Sequence, residues 1–239
     1  MQGSPNLSPP VFLEVPSQRH RVSIVAGDTP AASSTQLHLG MLLQSKHNSS
    51  SDSRYGELSR QQRLGLAITL ASTVLQLYKS PWLDSAWGKR NILFFVDGFD
   101  EDNCPVIGDP YVLCPFGLPP HRSPPLPPSG NTTKETLLAL GIMLIELCSN
   151  QPLEDLCPTG ANDIRNLPTA DRYEAADHMI DDVYREEGNR YGYAVQRCVR
   201  FEFGVRGNEK RLDSDRFRRL FYEDVILPLE EEYRWRSMV

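Results

Sequence analysis

The stretch Lys89-Arg90-Asn91-Ile92-Leu93-Phe94-Phe95 decides the fold that this sequence predicts. From Ile92 onward it is a run of apolar residues, mostly β-branched or aromatic, which is typical of a strand. A short loop carrying Trp82 and Trp87 precedes it, and a helix is predicted before that loop, over residues 59–78. The order helix, loop, strand is therefore the first architectural prediction.

The helix predicted over residues 59–78 carries a start signal and a buried face. Ser59 and Gln62, three residues apart, form a capping box. Apolar residues then recur at helical spacing and predict one buried face: Leu64, Ala67, Ile68, Ala71, Val74 and Leu75. Pro81 is expected to end the helix, because proline cannot continue its hydrogen bonding.

These elements resemble the catalytic centre of a protein kinase that lacks its catalytic residues. In the kinase signature set, a catalytic Asp stands five residues before an Asn that holds Mg²⁺, and Asp-Phe-Gly follows on the next strand. Asn91 keeps the Asn, but the base position falls on Ala86. Pro115 stands where the metal-binding Asp should be, before Phe116-Gly117. Since alanine and proline carry no carboxylate, the resemblance implies that phosphotransfer has been lost.

The second part of the resemblance is the segment 133–148, which is similar to the buried central helix of the kinase C-lobe. That helix opens in active kinases with an Asp that braces the catalytic loop, and the matching position here is Thr136. About two dozen residues separate Asn91 from Phe116, roughly ten more than the kinase pattern has. We expect the surplus, residues 97–110, to form a long hairpin loop.

The amino-acid sequence of residues 58–95 and 133–154 resembles that of a fungal family of kinase-like domains of unknown function. The resemblance covers about residues 56–235. Members of that family often follow a helical HeLo-type prion-inhibition domain. The resemblance implies an α+β, mainly α fold: a kinase-like helical C-lobe over 56–239 and a reduced, β-containing or partly disordered N-lobe-like segment over 1–55. It implies a setting in allorecognition or innate-type signalling, and no activity.

The first 55 residues carry weak signals. Short strands are predicted at 11–15, 21–26 and 36–43, separated by proline and serine clusters. A working kinase N-lobe supplies a glycine-rich loop and a strand lysine for the phosphates. Neither is found, and Lys46, beside a polar stretch, is interpreted as a solvated loop lysine.

Three more helices are predicted after residue 168. They span 171–187, 191–200 and 213–227, with Gly188 as a C-cap between the first two. Asp213 is expected to cap the last helix, and Pro228 to kink or break it.

Composition limits the class of protein. The chain has 239 residues, 40% of them hydrophobic, which is enough for one sizeable core or two small ones. Its net charge of −6 disfavours nucleic acid or an anionic membrane as the main partner. No apolar run approaches the roughly 20 residues that cross a bilayer, and residues 1–10 lack the features of a signal peptide. With five widely spaced cysteines, we expect a cytoplasmic protein with reduced thiols.

Several potential sites can be weighed from residue spacing. Cys148, Cys157 and His178 are too far apart for the usual zinc ligand pairs. The acidic segment 97–103 fails the EF-hand order, since Asp102 stands where glycine is needed. His178 has no visible nucleophile near it in the sequence and is interpreted as structural. We therefore predict no catalytic, cofactor-binding or metal-binding residue.

The proline-rich segment 118–128 stands where a kinase has its activation segment. Its proline density favours an extended polyproline II conformation. The pairs Pro120–Pro125 and Pro124–Pro127 lie beside Arg122 and could present a Pro-x-x-Pro ligand to an aromatic groove. A stiff surface linker is the alternative, and both interpretations stay open.

The function predicted from the sequence is that of an inactive kinase-like scaffold that binds another protein, with no cofactor. The alternative is a cryptic nucleotide-binding phosphotransferase that uses displaced residues, such as Asn91 with Asp97 or Asp109. The sequence does not predict the oligomeric state or the identity of the partner.

Overall fold

A computed structural model of the chain describes residues 11–15, 18–22, 36–43, 58–78, 80, 83, 87–99, 105–113, 130–156 and 164–238. The chain divides into two compact units, Met1–Ser34 and Thr35–Val239. In the first, β1 (Val11–Val15) pairs antiparallel with β2 (Gln18–Val22), with Val11 opposite Val22. The strand predicted at 11–15 is confirmed, and the second strand begins three residues earlier than predicted.

The second unit contains a small antiparallel sheet around a central strand. Its strands are β3 (Gln36–His38), β4 (Ile92–Phe99), β5 (Pro105–Ile107) and β6 (Tyr111–Val112), and β4 pairs with each of the other three. Because Leu93 pairs with both His38 of β3 and Tyr111 of β6, these two strands flank β4 on opposite sides. Alternate residues of β4, Ile92, Phe94 and Val96, are buried in the core.

The structure corrects one sequence prediction about this sheet and refines another. The strand predicted over 36–43 ends at His38, and α1 (Leu39–Leu43) follows directly. The His38 side chain explains the change, because its Nδ1 accepts a hydrogen bond from the N–H of Met41 at 3.2 Å and so caps the helix start. The region 97–110, predicted as a long hairpin loop, does contain a hairpin, but residues 97–99 and 105–107 belong to its strands β4 and β5, so the connection is shorter than predicted.

Helix α2 (Arg60–Leu77) begins as predicted. Ser59 Oγ accepts from the N–H of Gln62 at 3.2 Å, and Gln62 Oε1 accepts from the N–H of Ser59 at 2.8 Å. This confirms the capping box. The predicted stop at Pro81 lies outside the described residues.

Helix α3 (Gly130–Ser149) is the centre of the helical layer and confirms the helix predicted over 133–148. It contacts α2 and the helices α4 (Leu153–Leu156), α5 (Thr169–His178), α6 (Ile180–Glu187) and α7 (Asn189–Arg200). Its apolar residues are buried on almost every side, as expected of a helix surrounded by others.

The helix predicted over 171–187 is two helices, α5 and α6. They meet at Met179, whose N–H donates to the carbonyl oxygen of Ala176 at 3.2 Å and tightens the turn. Gly188 ends α6 with φ 87°, which confirms the predicted C-cap and the break before α7.

The C-terminal helical segment differs from prediction at both ends. Helix α8 (Asp215–Phe221) has Ser214 at its N-cap, one residue after the predicted Asp213, and the carboxylate of Asp213 accepts from Arg211 at 3.0 and 2.8 Å. A π-helical turn, Tyr222–Ile226, then leads into α9 (Leu227–Ser237). Pro228 does not end the helical segment, because it lies in the first turn of α9, where a missing N–H is tolerated, and α9 continues to Ser237.

The observed architecture is therefore α+β and mainly α, with a small antiparallel sheet. Within the described ranges, no helix combines the length and the apolar character needed to cross a membrane.

Candidate functional site

The loop between α2 and β4 brings the decisive stretch of sequence into the core. Trp87, Gly88 and Lys89 are buried, whereas Arg90 is exposed. The N–H of Asn91 donates to the carbonyl oxygen of Gly88 at 2.8 Å and closes a turn. This turn points the side chain of Lys89 into the protein just before the chain enters β4.

Lys89 forms a buried cluster with two carboxylates. Its Nζ lies 2.5 Å from Glu146 Oε1 and 2.6 Å from Glu154 Oε2, and the three side chains are between 1% and 10% exposed. Glu146 belongs to the last turns of α3, and Glu154 belongs to α4. The ammonium therefore joins the loop to two helices.

Backbone groups complete the Lys89 cluster. Glu146 Oε1 also accepts from the N–H of Leu153 at 3.0 Å, and Glu154 Oε1 accepts from the N–H of Ile164 at 3.1 Å. A β-carbon added to Gly40 of α1 would lie 3.5 Å from the Lys89 side chain. The cluster thus joins the loop at Lys89 to residues 146, 153, 154 and 164, more than 50 positions further along the chain.

The electrostatics of the cluster follow from its composition of two acids and one base. Burial alone would lower the pKa of Lys89, but Glu146 and Glu154 outweigh burial and raise it. Burial raises the pKa of Glu146 to about 7, and the Lys89 ammonium and the Leu153 N–H limit that rise. A proton on one carboxylate leaves the cluster neutral, and a buried net charge is expensive.

Asn91, the residue that matches a kinase metal ligand, lies at the start of β4. Its carbonyl oxygen accepts from the N–H of Leu113 at 2.7 Å, beyond the end of β6. Its side-chain Oδ1 is buried and accepts no hydrogen bond from the described residues. The positions matching the two kinase carboxylates, Ala86 and Pro115, lie outside the described residues.

The acidic residues proposed as displaced partners of Asn91 lie on β4 and in the connection between β5 and β6. Asp97 is six residues further along the same strand, which places its backbone roughly 20 Å away at about 3.3 Å per residue. Asp109 is exposed in the connection between β5 and β6.

Thr136, at the position of the missing kinase brace, is buried on α3. One helical turn earlier, Thr133 Oγ1 lies 2.7 Å from the hydroxyl of Tyr78, at the C-terminal end of α2. A hydroxyl contact therefore connects the end of α2 to α3 near the start of the central helix.

The residues considered for a metal are in different environments. Cys148 is buried, with Sγ 3.6 Å from Glu186 Oε2. His178 ends α5 with an exposed side chain 4.0 Å from Glu174. Within the described ranges, no group of three or more His, Cys, Asp or Glu side chains is arranged to hold a metal ion. Cys157, Lys46 and the acidic residues 100–103 lie outside those ranges.

Sequence reasoning missed the Lys89 cluster. Its members are 57 and 65 positions apart in the chain, so local spacing carries no signal for it. One signal was present: Glu146 is the sole charged residue in the apolar run 137–147 of a helix expected to be buried, and a buried carboxylate requires a partner.

The fold and this site define a mainly helical α+β protein organised around a buried lysine and two glutamates. Residues 15–235 match the family model described as Domain of unknown function (DUF7580), and the chain belongs to that family. Neither the curated proteins nor the solved structures include a match to the chain.

Proposed function

We propose that this chain is a kinase-like domain without phosphotransfer that works as a protein-binding module. The order α2, loop, β4, β6 and α3 supports the kinase-like fold, because the matching elements of the kinase C-lobe follow one another in this order. Ala86 and Pro115 support the loss of phosphotransfer, because they stand at the positions of the two kinase carboxylates and carry none.

The observation that carries the proposal is the position of Lys89. A lysine that acts on nucleotide phosphates presents its ammonium to the ligand. The ammonium of Lys89 is instead buried between Glu146 and Glu154. The loop is therefore held by an internal ion-pair cluster, which suits a rigid surface for another protein.

The competing function is nucleotide binding through Asn91, and the unpaired Oδ1 of that side chain is the observation in its favour. The distance along β4 from Asn91 to Asp97 counts against a joint metal site. A fungal allorecognition or innate-type signalling pathway, in the cytoplasm, is the setting that we propose for the module.

Thermal unfolding with and without millimolar ATP and Mg²⁺ separates the two functions. A ligand at 100 times its dissociation constant stabilises the folded state by about 2.7 kcal/mol. We expect no Mg²⁺-dependent rise in the midpoint of thermal unfolding. A partner protein captured on this chain, once purified, should bind it saturably when the two are titrated. A rise that Asn91→Ala abolishes would replace the proposal with the nucleotide-binding function.

A further inference from the structure

The strongest concentration of positive charge in this acidic chain lies between residues 197 and 219. That segment holds eight Lys and Arg residues and four Asp and Glu residues, a net charge of +4, whereas the whole chain carries −6. It begins in the last turn of α7, crosses the loop that follows, and ends in α8. Arg197 and Arg200 pair with carboxylates outside the segment, Asp224 and Asp177, and the remaining basic residues lie in the loop and in α8.

The basic segment borders a cavity of about 500 Å³, lined by Gly204, Arg216, Arg219, Leu220 and Glu223. Cavities of this size hold small ligands or single side chains with their neighbours. A β-carbon added to Gly204 would meet no atom within 4 Å, so the backbone of the loop borders open space here.

Buried aromatic rings pack together between the loop and α8. The Phe203 ring lies 4.8 Å from the Phe217 ring in an edge-on arrangement and 6.3 Å from the Phe221 ring. All three residues are buried. The residue before Gly204 is therefore packed against α8.

The arginines at the cavity differ in how they are engaged. Arg216 Nη1 lies 3.0 Å from Glu209, in a pair whose side chains are both more than half exposed. Arg219 makes no ion pair with any residue in the described part of the chain. Its guanidinium is thus free there to bind an anion, and Arg216 can exchange the exposed carboxylate of Glu209 for one.

The chemistry of the wall selects a phosphate group. Guanidinium groups bind phosphate through two parallel hydrogen bonds, and Leu220 adds an apolar surface for a side chain beside it. A nucleic-acid duplex or an anionic membrane needs a broad basic field, which a chain of net charge −6 does not offer.

We propose that the cavity between Gly204, Arg216 and Arg219 binds a phosphoserine or phosphothreonine in an extended segment of a partner protein. This inference rests on the proposed function, because it names the chemistry of the partner of the protein-binding module. Glu223 on the same wall disfavours acidic residues immediately beside the phosphate.

The test uses two pools of immobilised peptides with random flanks, one with a central phosphoserine or phosphothreonine and one without phosphate. We expect the full chain to be retained at least about tenfold more by the phosphorylated pool. Arg219→Glu, which removes a free arginine, and Gly204→Glu, which fills the cavity, should abolish the difference. Arg185→Glu is the matched control, because Arg185 is exposed on α6 and pairs with Asp182 of the same helix. Circular dichroism melting confirms that each variant is folded.

Several results would overturn the inference. Equal retention by the two pools, or retention of Arg219→Glu at the wild-type level, excludes a phosphate site in this cavity. Arg219-dependent binding of a single-stranded RNA or of phosphatidylserine vesicles, without peptide binding, assigns the surface to another partner class. If a purified protein partner binds Arg219→Glu as tightly as wild type, the phosphate site fails while the proposed function stands.

Discussion

Arg60 at the start of α2 forms a salt bridge with Glu187 at the end of α6, although the two residues are 127 positions apart in the chain. The Nε of Arg60 lies 3.1 and 3.0 Å from the two carboxylate oxygens, and its Nη2 lies 2.9 Å from one of them. Arg236 of α9 reaches the same carboxylate at 3.4 Å, so three helices meet at Glu187.

We expect Glu187→Gln to lower the free energy of unfolding by about 1.5–3 kcal/mol, because a buried, charge-assisted pair is lost while two arginines keep their charge. Glu186→Gln is the matched control, since Glu186 is the exposed neighbour on the same helix. Urea unfolding measures both. Equal effects of the two substitutions would show that the ion pair adds nothing to stability.

Lys89→Met should be among the most destabilising substitutions in the chain. Removing the ammonium leaves Glu146 and Glu154 buried without their cation, which costs about 3–5 kcal/mol. Arg90→Met removes the same charge from an exposed neighbour and should change stability by less than about 1 kcal/mol. Adding Glu146→Gln to Lys89→Met should recover part of the loss. If it lowers stability further, the cluster is held by hydrogen-bond geometry and not by charge.

The pH dependence of stability should report Glu146. Because the pKa of this carboxyl rises from 4.5 to about 7 on folding, the folded state binds the proton more tightly than the unfolded state. Its contribution is fully present below pH 4.5 and is lost as the pH rises through about 7. The stability of wild type relative to Glu146→Gln should therefore fall by up to about 3 kcal/mol across that range. A relative stability that rises with pH would mean that Glu146 is ionised in the folded protein throughout.

Gly141 lies at a close contact between α3 and α7. A β-carbon at this position would lie 2.7 Å from Val199 Cγ2 and 3.3 Å from the Val199 backbone nitrogen. Gly141→Ala should destabilise the protein by about 1–3 kcal/mol through overpacking. Gly65→Ala on α2 meets no atom closer than 3.9 Å and should stabilise it by about 0.5–1 kcal/mol. The midpoints of thermal unfolding of the two variants should therefore shift in opposite directions from that of wild type. If both midpoints rise, α3 and α7 can move apart at Gly141 without loss of stability.

Cys148 and Cys198 should resist alkylation in the folded protein. Burial raises the pKa of both thiols and keeps reagents out. We expect iodoacetamide to modify each at least about a hundredfold more slowly in native buffer than in denaturing urea, as measured by peptide mass spectrometry. Native modification at the rate seen in urea would place these side chains at the surface.

The parts of the fold that sequence reasoning found are those with local signals. The capping box at Ser59 and Gln62, the helical spacing after it and the glycine at 188 each act within a few residues, so they can be recognised along the chain. The break at Met179 has no glycine or proline to mark it, and it depends on how α5 and α6 pack against α3.

The candidate site was only partly predictable. Asn91 and the strand after it were found, because their order and spacing are local. The Lys89 cluster depends on helices that bring Glu146 and Glu154 together from distant positions, and the cavity at Gly204 depends on the way a loop lies over α8. Such juxtapositions follow from tertiary packing, which a single sequence does not display.

The π turn at Tyr222–Ile226 determines which way the end of the chain faces. Buried residues follow one another at four-residue intervals: Phe217, Phe221, Val225 and Leu229. In an unbroken α-helix of 3.6 residues per turn that repeat would drift by about 40° at each step, and the wider turn takes up the drift. The π turn thus determines which side of α9 faces the core. Deleting one residue of the π turn would rotate every later side chain by about 100°, carrying Glu232 away from Arg190 of α7 and the exposed indole of Trp235 toward a new side of the helix.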